Sequence, residues 1–330
     1  MRLVPHLIVA TLLLCRPAGA QVRLVLDNDL FAPHRLDRKA PDYDYTAGTR
    51  LTWASQRTQW WAAHLGAARD SSRLRTLWEV GQEIYTPRND APEPLPGERP
   101  YAGWLYGSVT AEAARPGRTR SLTLQLGVTG PPSLAAPVQR EVHRLAGFHE
   151  PLGWSHQVAF EPGVALRYAE RWTVTQELGG AAAEVGPEWE VALGNVLTGA
   201  RAGLRARIAT TGLRRGGDGV YLSAGVREEW VARNLFLDGN TFQGGHRVAK
   251  LPFVPQAELG VGARLGWLGL GYRATFRGRE YRTQPTSHGW GSFSLEVYPQ
   301  SENKRSYPED ERTRERRCSS LALSSSGPSG

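Results

Sequence analysis

The sequence predicts an all-β fold: a twelve-stranded antiparallel transmembrane β-barrel with a short helix in an extracellular loop. Three observations point there. Segment after segment alternates apolar and polar residues with a period of two, the period of a strand. The face opposite the apolar one is built of Trp, Tyr, Ser, Arg, Glu and Gly, which suits a crowded polar lumen, with glycine where space is short. No stretch after residue 20 approaches the ~18 consecutive apolar residues of a membrane helix.

Residues 1–20 read as a signal peptide. Arg2 gives a positive start, Leu7 to Leu14 an apolar core, and Ala18-Gly19-Ala20 a small-residue cleavage site before Gln21. Arg16 after Cys15 argues against a lipid anchor. Of 2 cysteines only Cys318 then survives export, so the fold must hold without an internal disulfide.

Residues 21–300 form one barrel domain, with strands expected near 22–29, 45–55, 76–85, 102–113, 119–129, 154–168, 172–184, 188–196, 219–230, 253–264, 267–277 and 289–298. The clearest is Ser121–Val128, apolar at every even position. In 256–264, Ala257, Leu259, Val261 and Ala263 oppose Gln256, Glu258 and Arg264. Tight periplasmic turns are expected at Arg115–Arg118, Ala169–Arg171 and Leu265–Gly266. Long connections at 30–44, 86–101, 130–153, 231–252 and 278–288 then fall on the outer side. The segment 197–218 reads as a long periplasmic connection, with Leu204–Ile208 extending a strand. Residues 301–330, charged and serine-rich without periodicity, read as a disordered tail.

One stretch breaks the alternation. Pro137 suits a first helical turn and Gly147 a C-terminal stop. Between them Val138, Val142 and Leu145 form an apolar stripe, with Gln139 and His143 stacked four apart beside it. So short a helix must be pressed onto something. With the stripe against the barrel, Gln139 and His143 would edge a cleft.

The net charge is +8, and nearly all the cations are arginine; the lysines are Lys39, Lys250 and Lys304. Arginine's fork suits phosphates and carboxylates, which fits an anionic lipid surface as a partner. The alternative reading is a coding bias, since the chain is also rich in Ala, Gly and Pro and poor in Ile. Nucleic acid is excluded by the absence of a basic, aromatic-interleaved module in an exported chain.

In this topology several polar patches converge at the outer rim: Asn28-Asp29, Asp44-Tyr45-Thr46-Ala47-Gly48, Gly81-Gln82-Glu83-Ile84-Tyr85-Thr86-Pro87, Arg99-Pro100-Tyr101-Ala102-Gly103-Trp104, and Gln139-x-x-x-His143. In order and spacing these resemble the outer-membrane lipid A 3-O-deacylase family, over about Val22 to Tyr298. The resemblance implies a twelve-stranded barrel in the bacterial outer membrane. It implies hydrolysis of the 3′ acyloxyacyl ester of lipid A with calcium (Ca2+) required, and functional positions at Asn28, Asp29, Thr46, Gln139 and His143. A lysine that some members carry between strands three and four is missing; Arg88 and Arg99 are the arginines of that loop.

The residues suit this chemistry. Ester hydrolysis needs a base for water and a positive centre for the oxyanion. His143 is the natural base, since imidazole titrates near neutrality. No G-x-S-x-G motif is present, which favours direct attack by water. Asp29 and Asn28 offer hard oxygen ligands for calcium, Gln139 can orient substrate or imidazole, and Thr46 can place a hydroxyl or water. His149 and His156 read as structural, and Arg99-Pro100-Tyr101 as architectural. Asn28 shares parity with Val22, Leu24 and Leu26 on the lipid side, whereas Thr46 shares parity with Arg50 and Thr52; a bulge would be needed to turn Thr46 outward. Two other functions fit the same architecture: a non-catalytic barrel that binds lipopolysaccharide or acts as an adhesin, and an outer-membrane phospholipase.

Overall fold

The computed structural model describes residues 21–33, 42–55 and 73–299. The signal peptide expected at 1–20 and the tail expected at 301–330 lie outside the described residues. Thirteen strand segments follow in order: β1 (Gln21–Asn28), β2 (Asp44–Ser55), β3 (Arg73–Thr86), β4 (Ala102–Arg115), β5 (Arg118–Thr129), β6 (Pro162–Trp172), β7 (Val174–Glu177), β8 (Ala181–Gly194), β9 (Leu197–Thr210), β10 (Gly219–Asn234), β11 (Phe253–Leu265), β12 (Leu268–Arg277) and β13 (His288–Val297). Every pairing is antiparallel. β1 joins β13 and β6 joins β8, which closes the sheet. β6 and β7 both pair with β8 and together make one barrel strand interrupted at Thr173, so the barrel has twelve strands. No helix among the described residues is long and apolar enough to cross a membrane; this chain crosses with strands.

Alternation sets inside and outside. On β10, Tyr221, Ser223 and Arg227 line the lumen, while Val220, Leu222 and Val226 are exposed on the outer wall. That wall meets lipid, so exposed apolar side chains are what the strands require. Much of the arginine turns inward. Arg50 pairs with Asp27 at 2.8 Å, Arg167 with Glu190 at 3.2 Å, and Arg277 with Glu229 at 2.7 Å. Beneath the outer mouth Asp27, Arg50, Arg167, Glu229 and Arg277 line a cavity of about 470 Å³.

Inward-folded loops fill the mouth with buried side chains. Arg99 is 1% exposed, 3.2 Å from Glu280, and lies over the Tyr85 ring at 4.7 Å. Tyr85 in turn stacks on Phe236 at 4.5 Å, and Leu235, Leu237 and Tyr281 are buried with them. Burial by itself would raise the Glu280 pKa, but Arg277 and Arg99 hold it down at about 2.

Several expectations about the strands need correction. Ala169–Arg171 is not a turn but lies within β6, where Glu170 pairs with Arg120 at 3.0 Å and with Arg118 across the β5–β6 ladder. β8 runs unbroken through Gly186 and Pro187. The proline has no N–H for a ladder, and it sits where the β6–β7 strand is interrupted. Gly186 is required there, since a Cβ would lie 1.9 Å from the Trp172 carbonyl oxygen. Finally, 197–210 is not a periplasmic connection but the strand β9, reached from β8 by a short outer turn. The expected strand 172–184 also runs across a real turn, since β7 ends at Glu177 and β8 begins at Ala181. The two false breaks, at 169–171 and 185–187, offset this missed turn and the missed strand, so the expected total of twelve survives.

The helix α1 (Ala135–Ala146) follows a 3-10 turn, Pro131–Ser133, in the loop between β5 and β6. Gly147 ends it in the left-handed region, φ 73°. Pro137 occupies its first turn, where its missing N–H had no helical partner. β6 begins only at Pro162 rather than near 154, because Gly153–His156 forms a second 3-10 turn that packs Trp154 beneath α1.

Candidate active site

Three strands supply the wall of the site. On β1, Asp27 lies on the lumen side with Arg23 and Val25, so Asn28 takes the outward parity. The side chain of Asn28 caps the 3-10 turn Asp29–Phe31 by accepting from the Leu30 N–H at 2.8 Å. On β2 the register slips between Tyr45 and Ala47, a β-bulge. Tyr45 faces the lumen and donates to Asp27 at 2.7 Å, whereas Ala47 packs outside against the α1 cluster. Thr46 is the extra residue of this bulge, and its hydroxyl meets that of Thr86 on β3 at 2.6 Å. Both threonines are fully buried. The bulge that outward placement of Thr46 required is therefore present.

α1 covers this wall. Ala135 and Ala136 pack with Ile84, Tyr101 and Trp154, and Gln82 donates to the Ser133 carbonyl at 2.7 Å. The approach depends on Gly103, where a Cβ would fall 2.1 Å from Ser133 Oγ and 2.4 Å from Ala135 Cβ. The buried face of the helix is not the expected one. Ala135, Ala136, Gln139 and His143 face inward, while Val138, Val142 and Leu145 are 40%, 50% and 55% exposed. Polar partners waiting beneath the helix fix this orientation, and the outside of the barrel exacts no penalty for apolar side chains.

The partner is Asp42, which the sequence reading did not single out. His143 Nε2 lies 2.7 Å from Asp42 Oδ2, and Gln139 donates to the same oxygen at 2.6 Å. Gln139 is itself held by Trp154, whose indole N–H donates to Oε1 at 2.7 Å. His143 Nδ1 meets the His149 carbonyl oxygen in a short contact. Both ring nitrogens thus face acceptors, which favours the imidazolium. The Asp42 hydrogen bond raises the His143 pKa, burial opposes it, and the His149 carbonyl adds to the rise.

One residue further on, the Tyr43 N–H donates to Asp29 Oδ2 at 3.2 Å. The Asp42–Tyr43 pair thereby ties the end of β1 to α1, and Asp29, Gln139 and His143 belong to one connected network. Asp29 is buried at 1% exposure. Of the two arginines in the β3–β4 loop, Arg99 is locked in the cap. Arg88 lies beside the network instead, 4.3 Å over the Tyr43 ring and 3.3 Å from Asp44. Asn28 pairs across the ladder with Ala47, next to the α1 cluster. His149 and His156 are exposed at the surface, near Asp90 and Glu93.

The metal ligands expected from the sequence, Asn28 and Asp29, are adjacent hard oxygen donors of the kind calcium takes. Among the described residues there is no group of three or more His, Cys, Asp and Glu placed to hold a metal. The remaining oxygens of a calcium shell would have to be backbone, water or substrate.

Residues 7–298 match the family described as outer membrane protein LpxR. Among solved structures, LpxR from Salmonella typhimurium aligns with a TM-score of 0.72 at 20% identity, over 84% of this chain and 99% of that one. The β domain of the Bordetella autotransporter BrkA aligns at a TM-score of 0.46 and 14% identity, over 84% of this chain and 98% of that one. No curated protein sequence matches.

Proposed function

Since this chain belongs to the LpxR family of outer membrane proteins, we propose that it is a lipid A 3-O-deacylase, hydrolysing the 3′ acyloxyacyl ester on the outside of its own barrel wall. The observation that carries this reading is the Asp42–His143 pair held under α1. It lies on the same outer face as the buried Thr46 and the end of β1, where a lipid reaches it sideways from the leaflet.

The network divides the labour. The His149 carbonyl keeps the proton on Nδ1, which leaves Nε2 as the basic nitrogen. In the resting state Nε2 is engaged by Asp42, so water must take that place for the imidazole to act as general base. Asp42 then stabilises the imidazolium that forms. Gln139, held between Trp154 and Asp42, acts through Asp42 as a positioning residue. Calcium, if held by Asn28 and Asp29, would supply positive charge for the oxyanion. Arg88 is the cation that stands nearest in place of the missing lysine.

Mass spectrometry of lipid A from cells expressing the protein tests the reading. Loss of one acyloxyacyl group is the expected result. Unchanged lipid A would favour a non-catalytic barrel that binds lipopolysaccharide or serves as an adhesin, and altered phospholipids a phospholipase.

A further inference from the structure

Among the described residues, the outward flank of α1 has no partner. Leu134, Val138, Val142, Leu145 and Phe148 are 53%, 40%, 50%, 55% and 38% exposed. In a soluble protein such a stripe would be turned inward; here the helix buries Gln139 and His143 instead. At roughly 100° per residue, the Val138–Val142–Leu145 line stands about a third of a turn from the buried Gln139–His143 edge. Arg140 and Arg144 stand about a third of a turn the other way. The helix is thus three-sided: one side on the barrel, one apolar, one charged. The charged side is exposed, with Arg140 3.3 Å from Glu150 and Arg144 paired with Glu141. That is the pattern of a helix lying in a membrane interface.

The barrel wall beside it is already apolar. β5 leads into the α1 loop, and its outward residues Leu124 and Leu126 are 38% and 54% exposed; Val164 and Leu166 on the paired strand β6 are 41% and 43% exposed. These belong to the lipid-facing surface that any membrane barrel carries.

We propose that α1 is an interfacial helix whose Val138–Val142–Leu145 flank continues the barrel's lipid-facing surface and is covered by acyl chains of the outer leaflet. The Gln139–His143 edge is thereby held at the depth where ester groups join acyl chains to headgroups. This placement rests on the barrel fold and its outer-membrane location and does not depend on the deacylase reading.

Spin-label accessibility tests it without any activity measurement. A chain beginning at Gln21 and carrying Cys318→Ser is refolded into phosphatidylethanolamine–phosphatidylglycerol vesicles, with one nitroxide at Val142→Cys, Arg144→Cys or Leu126→Cys. All three positions are exposed, so the label displaces no packing, and heat-modifiable migration on gels verifies each refolded barrel. The Val142 label should collide preferentially with oxygen over a water-soluble nickel chelate, as the Leu126 label does, while the Arg144 label shows the reverse. A Val142 label as accessible to the nickel chelate as the Arg144 label would overturn the proposal. Since Val142 makes no part of the network around His143, a lost acyl contact and a failed deacylase reading give separate signals.

Discussion

Asp42 Oδ2 meets His143 Nε2 at 2.7 Å across 101 residues of sequence, and the same oxygen accepts from Gln139. The contact joins the loop that follows β1 to a helix that follows β5. It gives the site a carboxylate–imidazole pair with a defined protonation preference, and several consequences can be measured.

The acid limb of the pH–activity profile should report this pair. The Asp42 hydrogen bond is the largest influence on His143 and raises its pKa above the ordinary 6.5. A base works only above its own pKa, so wild-type activity should fall away at a higher pH than an isolated histidine would impose. Asp42→Asn removes the charge and should move that limb to lower pH, with reduced maximal rate. An unmoved limb would detach Asp42 from the titration that controls activity.

His143→Ala should lose on the order of 10²–10⁴-fold in deacylation, the usual loss of a general base. Heat-modifiable migration on gels should be unchanged, because the barrel ladder does not run through α1. Near-wild-type turnover would instead send the search for a base to His149 and His156.

Asp29→Ala should abolish turnover, and a chelator should inhibit the wild type reversibly, with calcium restoring it. Full activity in excess chelator would remove calcium from the mechanism and leave Arg88 as the source of positive charge; Arg88→Ala would then be the damaging substitution.

The two threonine hydroxyls at 2.6 Å are each other's partner in a buried place. Thr46→Val or Thr86→Val alone strands one hydroxyl and should cost ~1–3 kcal/mol, while the double variant should recover much of that loss in urea unfolding. If Thr46 also touches substrate, the double variant will fold and still be slow. Recovery of both stability and rate would mark the pair as purely architectural.

Most of the barrel was legible because period-two patterning survives in β1 to β5 and in β10 to β13. It failed in the middle third for physical reasons. Pro187 signals a break in any strand unless its neighbour is interrupted at the same height, and that interruption at Thr173 has no signal of its own. Arg-rich β9 looks like a loop because its polar half faces the lumen. At the candidate site, Gln139, His143, Asn28, Asp29 and Thr46 were all visible as residues, and parity marked a bulge as the way to turn Thr46 outward without showing that one exists. Asp42 was not, since an aspartate in a loop carries no mark of a partner so distant in sequence. The orientation of α1 was misjudged because an apolar stripe was assumed to seek the protein, when in a bilayer the surroundings are equally apolar.

The cap built from Arg99, Glu280, Tyr85 and Phe236 has a consequence for the cell rather than for the reaction. An outer membrane protects by exclusion, and every open channel added to it is a leak for ions and small toxic solutes. Among the described residues, buried side chains fill this barrel's outer end and obstruct that entrance. If the chemistry proceeds on the outer wall, as proposed, turnover does not require the lumen to open. Such a protein can be abundant without weakening the permeability barrier whose lipid it touches.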